Sequence, residues 1–437
     1  MIITGFTSLV PAAAGAQPAL PTISVARVLQ DPAALVEWLV EHSHDVRAAA
    51  ARVDGAAALL RGSRLRPNPF VNVTLSDVPV GTTNPPKLGF GETAIYGVVG
   101  SQTFEIGKRK PRVEGARLRL ASGEESTLDV LNDAVADARA AMSRILYVKA
   151  RQALLQESLD AARQILELQR TRLERGDLSG NDFDRLFIDT ETLEADLAQT
   201  RADAAAADAD CQSAVFAVCD ATGADASLPA NVSLDVPPQA EWDTRLAERP
   251  DVRAFLLLEQ SSGQDALLAE HRAIPDPTVS AGFTRDRLVI SGDQPRTLQV
   301  GVTLPLPVFD RGQHDAARAR AAARELHEQG AGLLARARAT LGALAERRAA
   351  ISDALGRLQG DVRERADRVL ESTAAAVAQG ELGMTDLLLA RRTRTELALK
   401  ILDLRFQGFD ADNELRHTLA LDAPLIRQLQ GAAWPKP

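Results

Sequence analysis

The segment that decides the fold is residues 128–145, which read LDVLNDAVADARAAMSRI. Its apolar residues are spaced alternately three and four positions apart: Leu128, Leu131, Val135, Ala138, Met142 and Ile145. A seam with this average spacing of 3.5 residues is typical of helices that pack side by side as coiled coils. We therefore predict a long helix with one apolar face against a neighbouring helix.

Proline is absent from residues 112–228, which surround this segment, and again from residues 308–423. The second span has the same spacing of apolar residues, broken once at Arg348, at Leu334, Ala337, Leu341, Leu344, Ile351, Leu355, Leu358 and Val362. Proline costs about 3 kcal/mol inside a helix, and the chain contains 22 prolines. Both spans are therefore predicted to be long, uninterrupted helices.

Each span contains one glycine-rich phrase that predicts a sharp helix-to-helix turn. The first turn comprises Arg175, Gly176, Asp177, Leu178 and Ser179, and the second comprises Gly380, Glu381, Leu382 and Gly383. Glycine suits the left-handed end of a helix, and Asp182 and Asp386 suit the first turn of the next. The first arm of each predicted hairpin, 108–175 and 312–379, would be about 100 Å long at 1.5 Å per residue.

Composition argues against nucleic-acid binding and against catalysis. The chain has 437 residues and a net charge of -9, with acids and bases interspersed, so it has no basic stripe for nucleic acid. No G-x-S-x-G, H-E-x-x-H or phosphate-binding loop occurs. We predict no enzyme activity, no catalytic residue, no cofactor and no metal site.

Residues 1–16 predict a signal peptide. They form a short apolar run that ends in Ala14-Gly15-Ala16, an A-x-A cleavage pattern. The first basic residue is Arg27, so the usual positive start of such a peptide is missing.

Cys211 and Cys219 are the only cysteines, and both fall on one predicted helix. Eight residues of helix would separate them by about 12 Å, beyond the reach of a disulfide. We predict two buried, unbonded cysteines.

Four segments predict β-strands because apolar and polar residues alternate in them: 71–76, 95–106, 278–284 and 297–306. A short strand is also expected at 22–25, followed by a helix from Asp31-Pro32 to Arg66. No apolar run is long enough for a membrane helix, so any membrane crossing would use strands. A soluble sheet with one solvent-exposed face would show the same alternation of apolar and polar residues. The apparent signal peptide and the aromatic residues near the strand ends favour membrane-spanning strands.

The order helix, β-hairpin, long helical hairpin occurs twice, at an offset of about 205 residues, which indicates an internal duplication. The first repeat is predicted at 17–227, with its β-hairpin at 70–106 and helical hairpin at 108–222. A connector at 228–242 leads to the second repeat at 243–421, with a β-hairpin at 278–307 and a helical hairpin at 312–420. A tail at 422–437 ends the chain.

With this order, the chain resembles the TolC-type outer-membrane efflux channels over roughly residues 33–421. The phrases Pro67-Asn68-Pro69, Phe104-Glu105-Ile106-Gly107-Lys108-Arg109 and Leu304-Pro305-Leu306-Pro307-Val308-Phe309-Asp310-Arg311-Gly312 are similar to the branch that serves heavy-metal pumps of the cobalt-zinc-cadmium and copper-silver kind.

The resemblance implies a mainly α fold with transmembrane β-strands, in which three copies form a twelve-stranded β-barrel on a twelve-helix α-barrel. The barrel would lie in outer-membrane lipid, with the helices in the periplasm and the connector in an equatorial belt. A periplasmic adaptor would dock on the two hairpin turns and link the channel to an inner-membrane efflux pump.

The resemblance also assigns the channel gate to the periplasmic tip. Asp386 matches an acidic ring that narrows the channel, and Asp182 matches an acidic partner. The second acidic position falls at Leu389 and a basic locking residue at Leu382, so this chain departs from the family at both. Helix capping is the simpler role for both aspartates, and capping and gating are compatible.

Two other classes of protein remain open at this stage. A periplasmic adaptor, or membrane fusion protein, also carries a long coiled-coil hairpin, but only one, between β halves. A soluble structural coiled-coil protein would explain the helices and would leave the leader and the strands unexplained.

Overall fold

The computed structural model describes residues 20–83, 86–223, 237–287 and 294–433. The predicted signal peptide and most of the predicted connector lie outside these residues. Contacts divide the chain into two compact units. The first unit comprises the described residues within 1–44, 131–237 and 341–429, and the second those within 45–130, 238–340 and 430–437.

Helices make up most of the described chain. The shorter ones are α1 (Val25–Gln30), α2 (Pro32–His42), α3 (His44–Ser63), α4 (Phe90–Thr93), α7 (Trp242–Ala247), α8 (Pro250–Glu270) and α12 (Ala423–Ala433). The first long hairpin consists of α5 (Arg109–Glu174) and α6 (Gly180–Val215). The second consists of α9 (Gln313–Arg357), α10 (Arg363–Ala378) and α11 (Met384–Thr418).

No helix in the described ranges combines the length and the apolar character that a bilayer crossing requires.

Two predicted helices are interrupted. The arm at 312–379 is broken by a π-helical turn at Leu358–Val362, in which Gly360 has φ -89° and ψ -114°. Glycine has no Cβ and tolerates such a backbone, which a helix of other residues would resist. The prediction of one continuous helix from Asp31-Pro32 to Arg66 is also wrong. Ser43 has an extended backbone (ψ 124°) that separates α2 from α3, and α3 ends at Ser63.

The predicted seam of α5 is confirmed. Leu128, Leu131, Val135, Ala138, Met142 and Ile145 are all buried. Closer to the first turn, Leu155 and Leu159 pack with Leu197 of α6 in a core cluster that Leu399 of α11 flanks. In the second span Ala337, Leu341, Leu344 and Ile351 are buried, and Val362, the last residue of the interruption, is exposed. The other predicted seam residues, Leu334, Leu355 and Leu358, are half-buried.

The cysteines form a disulfide, so the prediction of two unbonded cysteines is wrong. Helix α6 ends at Val215, and Phe216 has a left-handed backbone (φ 56°) that reverses the chain. Strand β4 (Val218–Asp220) then pairs in parallel with β1 (Thr22–Ser24). The Cα atoms of Cys211 and Cys219 are therefore 6.3 Å apart, where a continuous helix would have separated them by about 12 Å.

The second unit contains a four-stranded antiparallel sheet with the order β2-β3-β5-β6. Its strands are β2 (Phe70–Ser76), β3 (Ile95–Thr103), β5 (Thr278–Asp286) and β6 (Arg296–Thr303). All four predicted strands are thus present, within a few residues of the predicted bounds. Helices α3, α5, α8 and α9 adjoin these strands in the sequence.

Left-handed glycines mark the two places where a strand leads into a long helix. Gly107 (φ 74°) precedes α5, and its carbonyl oxygen lies 2.8 Å from His271 Nδ1. Gly312 (φ 78°) precedes α9 and packs against the Ala269 carbonyl so closely that a Cβ there would collide with it. Only glycine meets both requirements at this second junction.

Candidate functional site: the two helix-to-helix turns

Both predicted turns close as left-handed helix ends. Gly176 (φ 82°) donates its N–H to the Leu173 carbonyl at 2.9 Å, and Asp177 donates to the Arg172 carbonyl at 2.9 Å. This pair of bonds satisfies carbonyls that the end of α5 would leave unpaired.

The second turn repeats this geometry at the end of α10. Gly380 (φ 78°) donates to the Val377 carbonyl at 3.1 Å, and Glu381 donates to the Ala376 carbonyl at 2.9 Å. The two turns are therefore similar in structure as well as in sequence.

Asp182 and Asp386 both lie in the first turn of the following helix, as predicted. The Asp182 N–H donates to Ser179 Oγ at 3.2 Å, and the Ser179 hydroxyl donates to Asp182 Oδ2 at 2.9 Å. Asp386 Oδ2 accepts a hydrogen bond from the Gly383 N–H at 3.1 Å. Each carboxylate thus stabilises a helix start, where its negative charge faces the positive end of the helix dipole.

The two apolar positions at the predicted gate are exposed. The exposed fraction is 44% for Leu382, which lies in the second turn, and 65% for Leu389 on α11. Single exposed leucines are common on protein surfaces, and the gate role of these two residues stays a prediction.

An ion pair that sequence reasoning missed joins the two hairpins. Arg392 Nη1 of α11 lies 3.5 Å from Asp189 Oδ1 of α6. Each residue follows the start of its helix by a similar distance, so the pair links α6 and α11 at corresponding positions. Its side chains are 64% and 57% exposed, and ion pairs this exposed contribute about 0–1 kcal/mol. The pKa of Arg392 is raised, chiefly by its hydrogen bond to the Glu396 carboxylate and then by the charges of Glu396 and Asp189. Only the spacing of Arg392 and Glu396, four residues apart, could have signalled part of this network.

Gln169, on α5 close to the first turn, is fully buried, and among the described residues neither its amide nitrogen nor its amide oxygen has a hydrogen-bond partner. A buried amide without partners costs about 1–3 kcal/mol. The packing near the turns is therefore less favourable than along the seam at 128–145.

Comparison with known proteins gives a match in structure and none in sequence. No protein-family profile matches the chain, and no characterised protein matches it by sequence.

Solved structures share its fold. CusC, whose structures concern folding and transmembrane channel formation, aligns with a TM-score of 0.74 at 16% identity, over 88% of this chain and 91% of that chain. A membrane protein from Pseudomonas aeruginosa aligns with a TM-score of 0.73 at 17% identity, over 95% and 99%. The outer membrane protein VceC from Vibrio cholerae aligns with a TM-score of 0.69 at 19% identity, over 88% and 95%. The predicted fold class, mainly helical with two long helical hairpins and a four-stranded antiparallel sheet, is confirmed.

Proposed function

We propose that this chain is a subunit of an outer-membrane channel in a tripartite efflux system. In this proposal a homotrimer forms a passive exit duct, which a periplasmic adaptor couples to an inner-membrane pump. The duct itself catalyses nothing, since the pump supplies the energy. The fold shared with outer membrane proteins of known structure supports this function over the adaptor and over a soluble coiled coil, and the two long hairpins argue in the same direction.

The observation that carries the proposal is the exposed apolar face of the sheet. The strand register places Val73, Val98, Phe283 and Leu298 in one row across all four strands. The exposed fraction reaches 74% for Val73 and 78% for Leu298. The next residues along the strands, Thr74, Gly97, Thr284 and Thr297, form a row on the opposite face. Apolar and polar rows on opposite faces are the pattern of a strand between lipid and an aqueous lumen.

The two edges of this sheet support a trimer. Among the described residues, β2 and β6 each pair with one strand only. Unpaired backbone groups are costly in lipid, and four strands are too few to close around a lumen. Three copies would pair β6 of one with β2 of the next and close a twelve-stranded barrel, in which the helical hairpins form a twelve-helix barrel in the periplasm.

The proposed chain organisation follows the duplication. Two repeats, at 17–227 and 243–421, would each supply one β-hairpin and one helical hairpin to the trimer. The connector at 228–242 and the tail at 422–437 would lie in an equatorial belt. The apolar sheet face would contact outer-membrane lipid, and no nucleic acid would bind.

The gate is proposed at the turns. Three copies of Asp386 would face the channel axis and favour cations, with Asp182 as the acidic partner and Leu382 and Leu389 as the apolar surroundings. The adaptor would dock on the two turns, at Arg175–Ser179 and Gly380–Gly383. Because Leu382 cannot lock the gate by charge, we assign that role to the ion pair between Arg392 and Asp189, which joins the two hairpins.

Single-channel recording separates gating from capping. Asp386→Asn keeps an oxygen that accepts from the Gly383 N–H but removes the charge, whereas Asp386→Ala removes both. Gating predicts that both variants conduct more or lose cation preference, and that Arg392→Gln opens more often. Asp361→Ala, which removes an exposed carboxylate of the π-helical turn, is the control. Unchanged conductance and selectivity in all three variants would remove the gate assignment.

The cargo is proposed to be heavy-metal cations, as the resemblance of the strand-to-helix phrases suggests. A strain that lacks the gene should grow poorly on cobalt, zinc, cadmium, copper or silver salts and normally on organic antibiotics. The opposite growth pattern would reject metal cargo and leave the duct intact.

A further inference from the structure

The last complete row at the loop end of the sheet places two arginines side by side. The register pairs Leu75 with Tyr96, Tyr96 with Arg285, and Arg285 with Arg296. Directly opposed residues of antiparallel strands share one face, and this row follows the row of Val73, Val98, Phe283 and Leu298 after two residues. Arg285 and Arg296 therefore extend from the exposed apolar face.

Such a pair is unfavourable without an anion. Like charges directly opposite each other on neighbouring strands destabilise a sheet, and both arginines are exposed. Asp286, the acid next in sequence, alternates to the other face of β5. A third cation lies over the register partner of Arg285, because the Arg287 guanidinium is 5.6 Å from the centre of the Tyr96 ring. Arg287 Nη1 also donates to the Gly91 carbonyl at 3.1 Å.

We propose that Arg285 and Arg296, with Arg287 beside them, bind the phosphate of a membrane lipid. Two guanidinium forks match the oxygens of one phosphate with paired hydrogen bonds. The apolar rows that continue from the arginines along the same face fit acyl chains, which free phosphate lacks. This inference rests on the proposed outer-membrane function. With the helices in the periplasm, the loop end of the sheet lies at the outer leaflet, so the ligand is a phosphorylated glycolipid of that leaflet.

Lipid retention tests the site directly. Native mass spectrometry of the detergent-purified protein, mixed with bisphosphorylated lipid A, should show bound lipid. The double variant Arg285→Gln/Arg296→Gln should retain at least about tenfold less bisphosphorylated lipid A than the wild type, because two charge-assisted contacts are lost. The double variant Arg285→Lys/Arg296→Lys keeps the positive charges but loses the paired hydrogen bonds of the guanidinium groups. Its lipid retention should lie between those of the wild type and the glutamine double variant. Dephosphorylated lipid A should bind weakly and equally to all proteins.

The control is Arg324→Gln, which removes an exposed arginine of α9 outside the sheet and should leave retention unchanged. Unfolding curves establish that the glutamine variants fold. Equal retention of bisphosphorylated lipid A by the wild type and the double variant would overturn the site. If inorganic phosphate alone binds as well and with the same dependence on both arginines, the lipid assignment is overturned.

Channel recording on the same preparation keeps this inference separate from the proposed function. Conducting channels without phosphate-dependent retention of lipid would reject the lipid site alone. A protein that forms no channels would reject the proposed function, on which the leaflet assignment depends.

Discussion

Arg139 of α5 and Asp422, just before α12, form a buried ion pair. Arg139 Nη1 lies 2.5 Å from Asp422 Oδ2, and Nη2 lies 3.1 Å from Oδ1. Their side chains are only 6% and 4% exposed. Arg416 Nη2 also donates to Asp422 Oδ1 at 2.9 Å. The pair therefore fixes the chain between α11 and α12 against the first long helix.

Removal of Arg139 should be strongly destabilising. Arg139→Met would leave a buried carboxylate with one of its two cations, and breaking a buried pair in this way costs about 3–5 kcal/mol. Arg163→Met is the matched control, because the Arg163–Glu194 pair is half exposed and such pairs contribute less than about 1 kcal/mol. Denaturant unfolding in detergent measures both. If both variants lose the same free energy of unfolding, burial does not determine how much the Arg139–Asp422 pair stabilises the protein.

The same site predicts a loss of stability in acid. Burial alone would raise the pKa of Asp422, but the hydrogen bonds and charges of Arg139 and Arg416 outweigh it and lower the pKa. The unfolded aspartate has a pKa of about 3.9, so the stabilisation is complete above that pH and is lost as the pH falls through the lower folded value. We expect the free energy of unfolding, measured from neutral pH down to about pH 3, to decrease less steeply in Asp422→Asn than in the wild type. If the free energy of unfolding depends on pH in the same way in both proteins, Asp422 is not the source of the loss of stability in acid.

The sequence predicted the features that local chemistry controls. The turns at Gly176 and Gly380 need a left-handed residue, which glycine signals, and the seam from Leu128 to Ile145 follows from its spacing. The reversal at Phe216 carries no such signal, because a left-handed phenylalanine depends on its surroundings.

In that reversal the Val215 carbonyl accepts a hydrogen bond from Trp38 Nε1 at 3.0 Å, and the Phe216 ring meets His44 edge to face. These partners are about 170 residues away in sequence, so the disulfide was not predictable from periodicity. The Arg392–Asp189 pair was missed for the same reason, since it joins two hairpins. The gate role of Asp386 stays a prediction.

The disulfide should stabilise the end of α6. Cys211 and Cys219 close a short loop, for which chain entropy gives about 2.5 kcal/mol. The double variant Cys211→Ala/Cys219→Ala should lose about that much, and untreated wild type should show no reactive thiol after denaturation without reductant. Ser213→Ala in the same loop is the control. Titration of two free thiols in the unreduced protein would contradict the bond.

Gly312 should not tolerate a side chain. In Gly312→Ala the left-handed φ costs about 1–3 kcal/mol, and the new Cβ collides with the Ala269 carbonyl. Gly332→Ala is the matched control within α9. Apart from the adjoining backbone of its own helix, no atom of the described residues lies within 4 Å of its added Cβ, and the substitution should stabilise by about 1 kcal/mol. Thermal unfolding of the two variants should shift in opposite directions. A shift in the same direction would argue against the junction geometry.

The central claim is that one chain holds a third of a channel, so the most direct measurement is the oligomeric state and conductance of the purified protein. The account predicts a detergent-dependent homotrimer that inserts into planar bilayers as discrete conducting steps. A protein that remains monomeric in water without detergent and produces no conducting steps would contradict it.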